Sequence, residues 1–578
     1  MTPLVGSVLL QFPFALAEIL VVAVGFCLFA GLWPRLFERA CGKAEGALCQ
    51  IAQHRMLAVG LVFFSVVVIR LLILPLLPVP VPGIHDEYSY LLMADTFAHG
   101  RLANPPHPMW MSFETFQVNW FPVYSSMYPP AQGLALAIGQ LLGHPWIGVL
   151  LSNAAMCAAI LWMLQAWMPA RWAFLAAGLV ALKLGFASYW MNSYWGGAVA
   201  AAGGALVLGA LARIVRRARV RDALLMGLGI AILANSRPFE GLIFCVPAGV
   251  YFLWWLAGKT GCRDSAGTRM RRVAAPLAIV LVLTGAWMAH YNRRLTGNAL
   301  LFPNALNVRT YHTAAMFVFG KAKPPMHYNN QQFEDFYNGW EREEYEGTWS
   351  GLKRVSWLKV TRGGWAFFWP GMVLALPGLP FAFGDRKMRM LTVTLLLVLT
   401  GVFAVIWSNA HYAAPVTCVI YALMVQSLRH LRTMQMGRLR IGKAWSWAVV
   451  ALLAMDTGRA VANRACDPVY WTCQGDPSRA AIEKTLEHTA GKHLVVVRYE
   501  EEHNIHDEWV YNGAEIDGAK VLWARELGAE QNAKLFAYFK DRQIWLADPD
   551  LDNTELLPYS PLSAGADKKA MRGNASLR

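Results

Sequence analysis

Apolar residues in this chain run in long blocks, and only near the C-terminal end does the pattern break into short elements. A helix needs roughly 20 apolar residues to cross a bilayer. About twelve blocks read as such helices, near 8–32, 56–78, 145–168, 172–190, 195–213, 222–236, 240–257, 273–291, 365–384, 389–407, 411–428 and 444–457. The block 130–142 is apolar but short and follows Pro129, so it reads as a juxtamembrane helix at the interface. Beyond Met455 the pattern is that of a soluble unit. SRAAIEKTLEHTAG (478–491) predicts a helix closed by Gly491, LVVVRY (494–499) a buried strand, KVLWARE (520–526) another, GAEQNAKLFAYFKD (528–541) a helix and QIWLA (543–547) a third strand. Strands alternating with helices suggest a small, largely parallel sheet. The expected organisation is a membrane part, 1–457, with long connections at 79–144 and 292–364, and an α/β unit, 458–578, with a flexible C-terminal end.

Charge sets the orientation. Arg35, Arg39, Lys43 and Arg55 lie in the first connection, and Arg171 lies in a later one. Further clusters are Arg213 to Arg221, Lys259 to Arg272, Arg386 to Arg389 and Arg429 to Lys443. All fall in alternate connections, which are therefore expected to be cytoplasmic. The opposite side then holds 79–144, 191–194, 235–240, 292–364, 408–411 and the C-terminal unit. The first of these has a single Arg and no Lys.

Composition agrees. Of 578 residues, 56% are hydrophobic and 15% charged, against about 25% charged in soluble proteins. The net charge of +15 is spread over short clusters between apolar runs rather than on one soluble module, which argues against nucleic-acid binding. The 24 Trp and 19 Tyr suit interfacial belts, and some could stack on sugar rings. The C-terminal unit has no glycine-rich phosphate loop, and the N-terminus lacks the basic region of a cleaved signal peptide. Of nine Cys, Cys466 and Cys473 lie close together in CDPVYWTC; they are free thiols in the cytoplasm or, on the outer side, a candidate disulfide.

Three constellations carry possible chemistry. GIHDEYSYLLMADTFAHGRLANPPHP (83–108) places Asp86 and Glu87 just beyond the second block. A carboxylate at a membrane face has its pKa raised by burial, which suits a general base for a hydroxyl; Asp86 as a cap of the helix Glu87–His99 is the structural alternative. NSRPFEGL (235–242) holds Arg237 and Glu240, and an Arg can grip a phosphate through two donors; an Arg237–Glu240 ion pair is the alternative. SNAHYAAPV (408–416) offers His411 and Tyr412. The 292–364 loop, with NRR (292–294), Lys321, Lys323 and FEDFYNGWEREEYEGTW (333–349), is long enough for a lid. In EEHNIHDEWVYNGAEID (501–517), His503 and His506 could bind a metal with nearby acids.

Asp-Glu after a span, Tyr88, an alanine-rich helix, Gly100-Arg101-Leu102 and YPPAQGLALAIGQLLG (128–143) resemble the start of the GT-C superfamily of membrane glycosyltransferases. The resemblance is nearest to the branch of the aminoarabinose transferase of lipid A, the protein O-mannosyltransferases and the rhizobial galacturonosyltransferases, and covers about 55–430. It implies a GT-C-like polytopic helical fold in a bacterial inner membrane, with the C-terminal unit extracytoplasmic. The implied activity is hexosyl or pentosyl transfer from a polyprenyl-phosphate donor to a lipid, glycan or protein hydroxyl at the outer face. Asp86 then corresponds to the acid that activates the acceptor, followed by Glu87 in the family pattern, and Arg237, His411 and Tyr412 would meet the donor phosphate. His85, Tyr88, Asn192 and Glu240 are expected around the substrate. The turn SYWMNSYWGGA (188–198) lacks the second acid found in many members, which leaves a divalent metal possible but not required. The alternative function is a transporter or flippase of a lipid-linked glycan, which predicts charges at the midplane and a repeat between halves.

Overall fold

The computed structural model describes residues 3–551 and 556–559, apart from 261–263, 346, 408, 436, 438, 439 and 465–474. Cys466 and Cys473 lie outside the described residues. The chain folds as a bundle of apolar helices with a small mixed α/β unit at its C-terminal end.

Proline opens many of the helices. Pro34, Pro130, Pro145, Pro238 and Pro477 each stand in a first turn, where the missing N–H costs nothing and the fixed φ favours helix. The central pair is Pro145–Trp167 and Ala198–Arg216. Small residues let backbones close up there: a Cβ on Gly209 would lie 3.0 Å from the Cα of Met163. Outer helices instead show apolar stripes to the surroundings. Leu242, Val246, Val250 and Leu253 on Pro238–Leu256 are all exposed, at the spacing of one helix face. Such a stripe is stable against lipid.

Among the described residues seven helices are long and apolar enough to cross a membrane, or eight if the pair Trp349–Phe367 and Gly371–Gly384, bent by 104°, is one span. The difference from twelve has a local cause. Ala170–Leu184 and Val220–Ala234 have 15 residues and Arg389–Ala404 has 16, about 22–24 Å at the helical rise. The apolar runs of Ala170–Leu184 and Arg389–Ala404 continue past the helix ends into irregular backbone, whereas Val220–Ala234 stops at Asn235-Ser236-Arg237. Ile441–Ala462 is long enough but carries Lys443, Asp456 and Arg459.

One end of the bundle gathers the basic connections. Pro34–Gln53, which the charge pattern makes a connection, is a helix that buries Phe37, Cys41 and Ala52. Its Glu45 pairs with Arg432 at 2.7 Å and its Glu38 with Lys443 at 2.6 Å. At the other end, the C-terminal unit forms a four-stranded sheet in the order Val521–Arg525, Lys492–Val497, Arg542–Ala547, Leu557–Pro558. The first three strands are parallel and the last is antiparallel. Burial of Leu494 to Val497 on both faces explains the unbroken apolar run LVVV.

This unit is packed onto the connection 79–144. Tyr511 stacks on Tyr88 at 4.4 Å between ring centroids, and its hydroxyl donates to the carbonyls of His85 (3.1 Å) and Phe116 (2.8 Å). The Ala514 amide donates to Asp95 Oδ2 at 2.7 Å, and Arg525, paired with Glu508, donates to the Glu114 carbonyl at 3.2 Å. Arg525 and Glu508 are both buried, so the joint holds an ion pair that would be costly to break by removing one partner.

Candidate active site

A cavity of about 1150 Å³ opens where the helix ends meet the two long connections and the C-terminal unit. Its polar lining includes His85, Asp86, Tyr128, Arg237, Glu240, His312, Tyr412 and His506.

The position of Asp86 is built from behind. Arg70, fully buried near the end of Arg55–Leu72, donates to the carbonyls of Leu77 (2.8 Å) and Pro78 (3.1 Å) and to Asn192 Oδ1 (2.9 Å). Asn192 in turn donates to the carbonyls of Phe186 and Ser188. This clamp pins the irregular segments 73–84 and 185–197 together. Glu87 adds a second clamp, accepting the amides of Gly83 and Tyr194, each at 2.9 Å. The helix His85–Ala98 therefore starts at a fixed angle, and Asp86 faces the cavity while Glu87 faces the protein. Adjacent residues on a helix point about 100° apart, which is why one acid is exposed to the cavity and the other is not.

Asp86 accepts a hydrogen bond from the Tyr128 hydroxyl, and the Tyr128 ring stacks on Tyr90 at 4.4 Å. Burial pushes the Asp86 carboxyl up to about 6, against the opposing pull of the Tyr128 hydroxyl and the Arg237 charge. Burial also pushes Glu87 up to about 8 and Tyr128 well above the usual phenol value, so Tyr128 remains the donor. Burial holds His85 well below the ordinary histidine range.

Arg237 occupies the residue before Pro238–Leu256, and its guanidinium lies over the Tyr412 ring at 4.5 Å. The site thus sets a guanidinium at a helix N-terminus, where backbone amides and the helix dipole favour an anion. Among the described residues Arg237 and Glu240 form no ion pair, so that alternative is not the geometry found; Glu240 is buried in the first turn and lines the cavity.

Of the residues singled out from the sequence, His85, Asp86, Arg237, Glu240 and Tyr412 come together in the cavity. Glu87, Tyr88, Asn192 and His411 do not line it. Glu87 and Asn192 are spent on the clamps, and Tyr88 lies under Tyr511 with Arg479 over its ring at 4.9 Å. His411 is buried behind Tyr412, with Nδ1 3.2 Å from the Tyr189 hydroxyl and its ring against Trp195 at 4.7 Å. His503 and His506 separate: His503 Nδ1 meets Asp550 Oδ1 at 2.7 Å, whereas His506 lines the cavity. No group of three His, Cys, Asp or Glu side chains able to hold a metal occurs among the described residues.

Several lining residues carry no sequence signal of their own. Tyr128 meets Asp86 across 42 positions. His312 is buried with Nδ1 2.6 Å from Glu341 Oε1. Arg362 completes the wall with Trp340, Asn504 and His506, which lie in the stretches 333–349 and 501–517 singled out from the sequence. The Pro-Pro after Tyr128 is the one feature that could have drawn attention to that tyrosine.

No family model matches the sequence, and no curated protein matches it. Among solved structures, the chain is similar to ArnT from Cupriavidus metallidurans bound to undecaprenyl phosphate, with 14% identity, 85% of this chain and 93% of that chain covered, and a TM-score of 0.45. It is similar to the apo oligosaccharyltransferase of Archaeoglobus fulgidus at 12% identity, covering 84% and 69%, with a TM-score of 0.44. It is also similar to the mycobacterial arabinofuranosyltransferase AftD at 14% identity, covering 87% and 35%, with a TM-score of 0.42.

Proposed function

We propose that this chain is a GT-C-type membrane glycosyltransferase. It moves a hexosyl or pentosyl group from a polyprenyl-phosphate donor to a hydroxyl of a lipid, glycan or protein. The observation that carries this reading is one cavity, at the ends of apolar helices, that presents a carboxylate with a raised pKa and a guanidinium at a helix N-terminus. The two groups match the two needs of the reaction. Asp86, ionised above about pH 6, takes the proton of the acceptor hydroxyl as its oxygen attacks the anomeric carbon. The bond from that carbon to the phosphate oxygen breaks, and Arg237 meets the charge that develops on the departing phosphate. Tyr412, under the guanidinium, holds it in place. The apolar stripes beside the cavity suit a donor whose polyprenyl chain stays in lipid. The C-terminal unit sits at the same end of the bundle, which agrees with an extracytoplasmic location for both.

The test is transfer by the purified full chain with polyprenyl-phosphate sugars. Asp86→Asn should abolish transfer, by about 10²-fold or more, while leaving expression and thermal midpoint unchanged. Transfer at the wild-type rate by that variant would remove Asp86 as the base. Movement of a lipid-linked glycan across the bilayer, with no transfer, would favour the transporter.

A further inference from the structure

Two tyrosines of the cavity hold hydroxyls that the protein itself does not use. Tyr90 and Tyr412 both line the space. Tyr90 follows Asp86 by one turn on the helix His85–Ala98, so the two share a face. Its ring stacks on Tyr128 with 4.4 Å between centroids at 17°, and only 5% of the residue is exposed. Tyr412 carries the Arg237 guanidinium over its ring at 4.5 Å. The charges of Arg237, Asp86 and Glu240 all act on both hydroxyls, so the two stand near the same few groups. Among the described residues, neither hydroxyl has a hydrogen-bond partner.

Packing alone does not call for these hydroxyls. Phenylalanine would stack on Tyr128 and would lie under a guanidinium in the same way. A hydroxyl in a largely buried place costs stability unless something accepts its proton. Burial pushes the Tyr90 phenol up to about 12, so it stays protonated and can donate. A guanidinium also has donors and no acceptor. The ligand that suits all three side chains is therefore an acceptor from outside, and the charge of Arg237 makes it an anion. Charge alone would hold that anion weakly, because Asp86 and Glu240 line the same space. Hydroxyl donors strengthen the grip without adding charge. The other guanidinium of the lining, Arg362, belongs to Trp349–Phe367, where its charge acts on His506.

We propose that the Tyr90 and Tyr412 hydroxyls donate to the phosphate oxygens that Arg237 meets, so that the three side chains form one cradle for the headgroup of a polyprenyl phosphate. Its place in a reaction rests on the transferase reading, but its binding is measured apart from transfer. The probe is undecaprenyl phosphate, titrated into the purified full chain in detergent micelles and followed by native mass spectrometry. Undecaprenol, the same lipid without its phosphate, is the control. The wild type should bind undecaprenyl phosphate more tightly than undecaprenol. Tyr90→Phe and Tyr412→Phe keep both rings and lose only the donors. Each should weaken the binding of undecaprenyl phosphate by about tenfold, the size of one hydrogen bond to a charged group, with an unchanged thermal midpoint. Undecaprenol should bind the variants as it binds the wild type. Equal binding of undecaprenyl phosphate by the wild type and both variants overturns the cradle. An equal loss of undecaprenol also overturns it, because the tyrosines would then act on the lipid chain. Displacement of the lipid by inorganic phosphate at equal concentration overturns the assignment to a lipid headgroup. Weakened binding in the variants of a chain that transfers no sugar upholds the cradle and sinks the transferase reading. Unweakened binding in the variants of a chain that does transfer sinks the cradle alone.

Discussion

Asp86 should set the acid limb of the pH–rate profile, and Tyr128 should set where that limb lies. The Tyr128 hydroxyl donates to Asp86 and so favours the ionised carboxylate, while burial pushes the group up to about 6. Tyr128→Phe keeps the ring that stacks on Tyr90 and removes only the donor. A hydrogen bond to a charged group contributes about 1.5–3 kcal/mol. Asp86 is half-buried and opens on the cavity, so the lower end applies, and about 1.4 kcal/mol is one pKa unit. The sign follows from which form is lost. Without the donor the proton is held more tightly, the pKa rises to about 7, and less carboxylate is available as base below that pH. The variant should therefore equal the wild type near about pH 9, fall to about half near pH 7 and to about a tenth near pH 5. The assay is kcat/KM for transfer from a polyprenyl-phosphate sugar over that range. A deficit of the same size at every pH, or an acid limb that stays in place, would refute the role given to the Tyr128–Asp86 contact.

Arg237→Ala should raise KM for the polyprenyl-phosphate donor by about tenfold or more through loss of a charged, two-pronged phosphate contact, and Arg237→Lys should recover part of it; an unchanged KM would separate Arg237 from the phosphate. Glu87→Gln keeps one acceptor oxygen where the carboxylate serves both the Gly83 and Tyr194 amides, so stability should fall by about 1–3 kcal/mol, read as a lower thermal midpoint. Its acid limb should stay where the wild type has it, and a displaced limb would mean that Glu87 titrates in the reaction.

The parts that were legible in the sequence share a property: each rests on a pattern local to a few turns of chain. Apolar runs mark helices, and proline marks where they start. The strands of the C-terminal unit lie within two residues of the ranges read from LVVVRY, KVLWARE and QIWLA. Residues just beyond a run, such as Asp86, Arg237 and Tyr412, were legible as candidates because helix ends are where polar groups reach water. That adjacent side chains point in different directions is legible too, but which of them meets the cavity is not. Glu87 adjoins Asp86, and His411 adjoins Tyr412, yet each pair splits between cavity and interior. Each apolar run likewise coincides with a helix, but hydropathy does not report where that helix stops and irregular backbone begins.

Local pattern in the sequence is thus enough for an apolar helical bundle, the sheet of its C-terminal unit and a short list of ionisable groups at helix ends. Tertiary structure decided which of those groups meet. Tyr128 reaches Asp86, Arg237 lies over Tyr412, and His506 reaches Trp340 from the far end of the chain. The physical reason is that secondary structure follows from interactions a few residues long, while a site is made by side chains brought together when distant surfaces are buried. Arg70 and Glu87 show the cost of that step: two ionisable residues buried to hold loops in place, one of which the sequence presents as a catalytic acid.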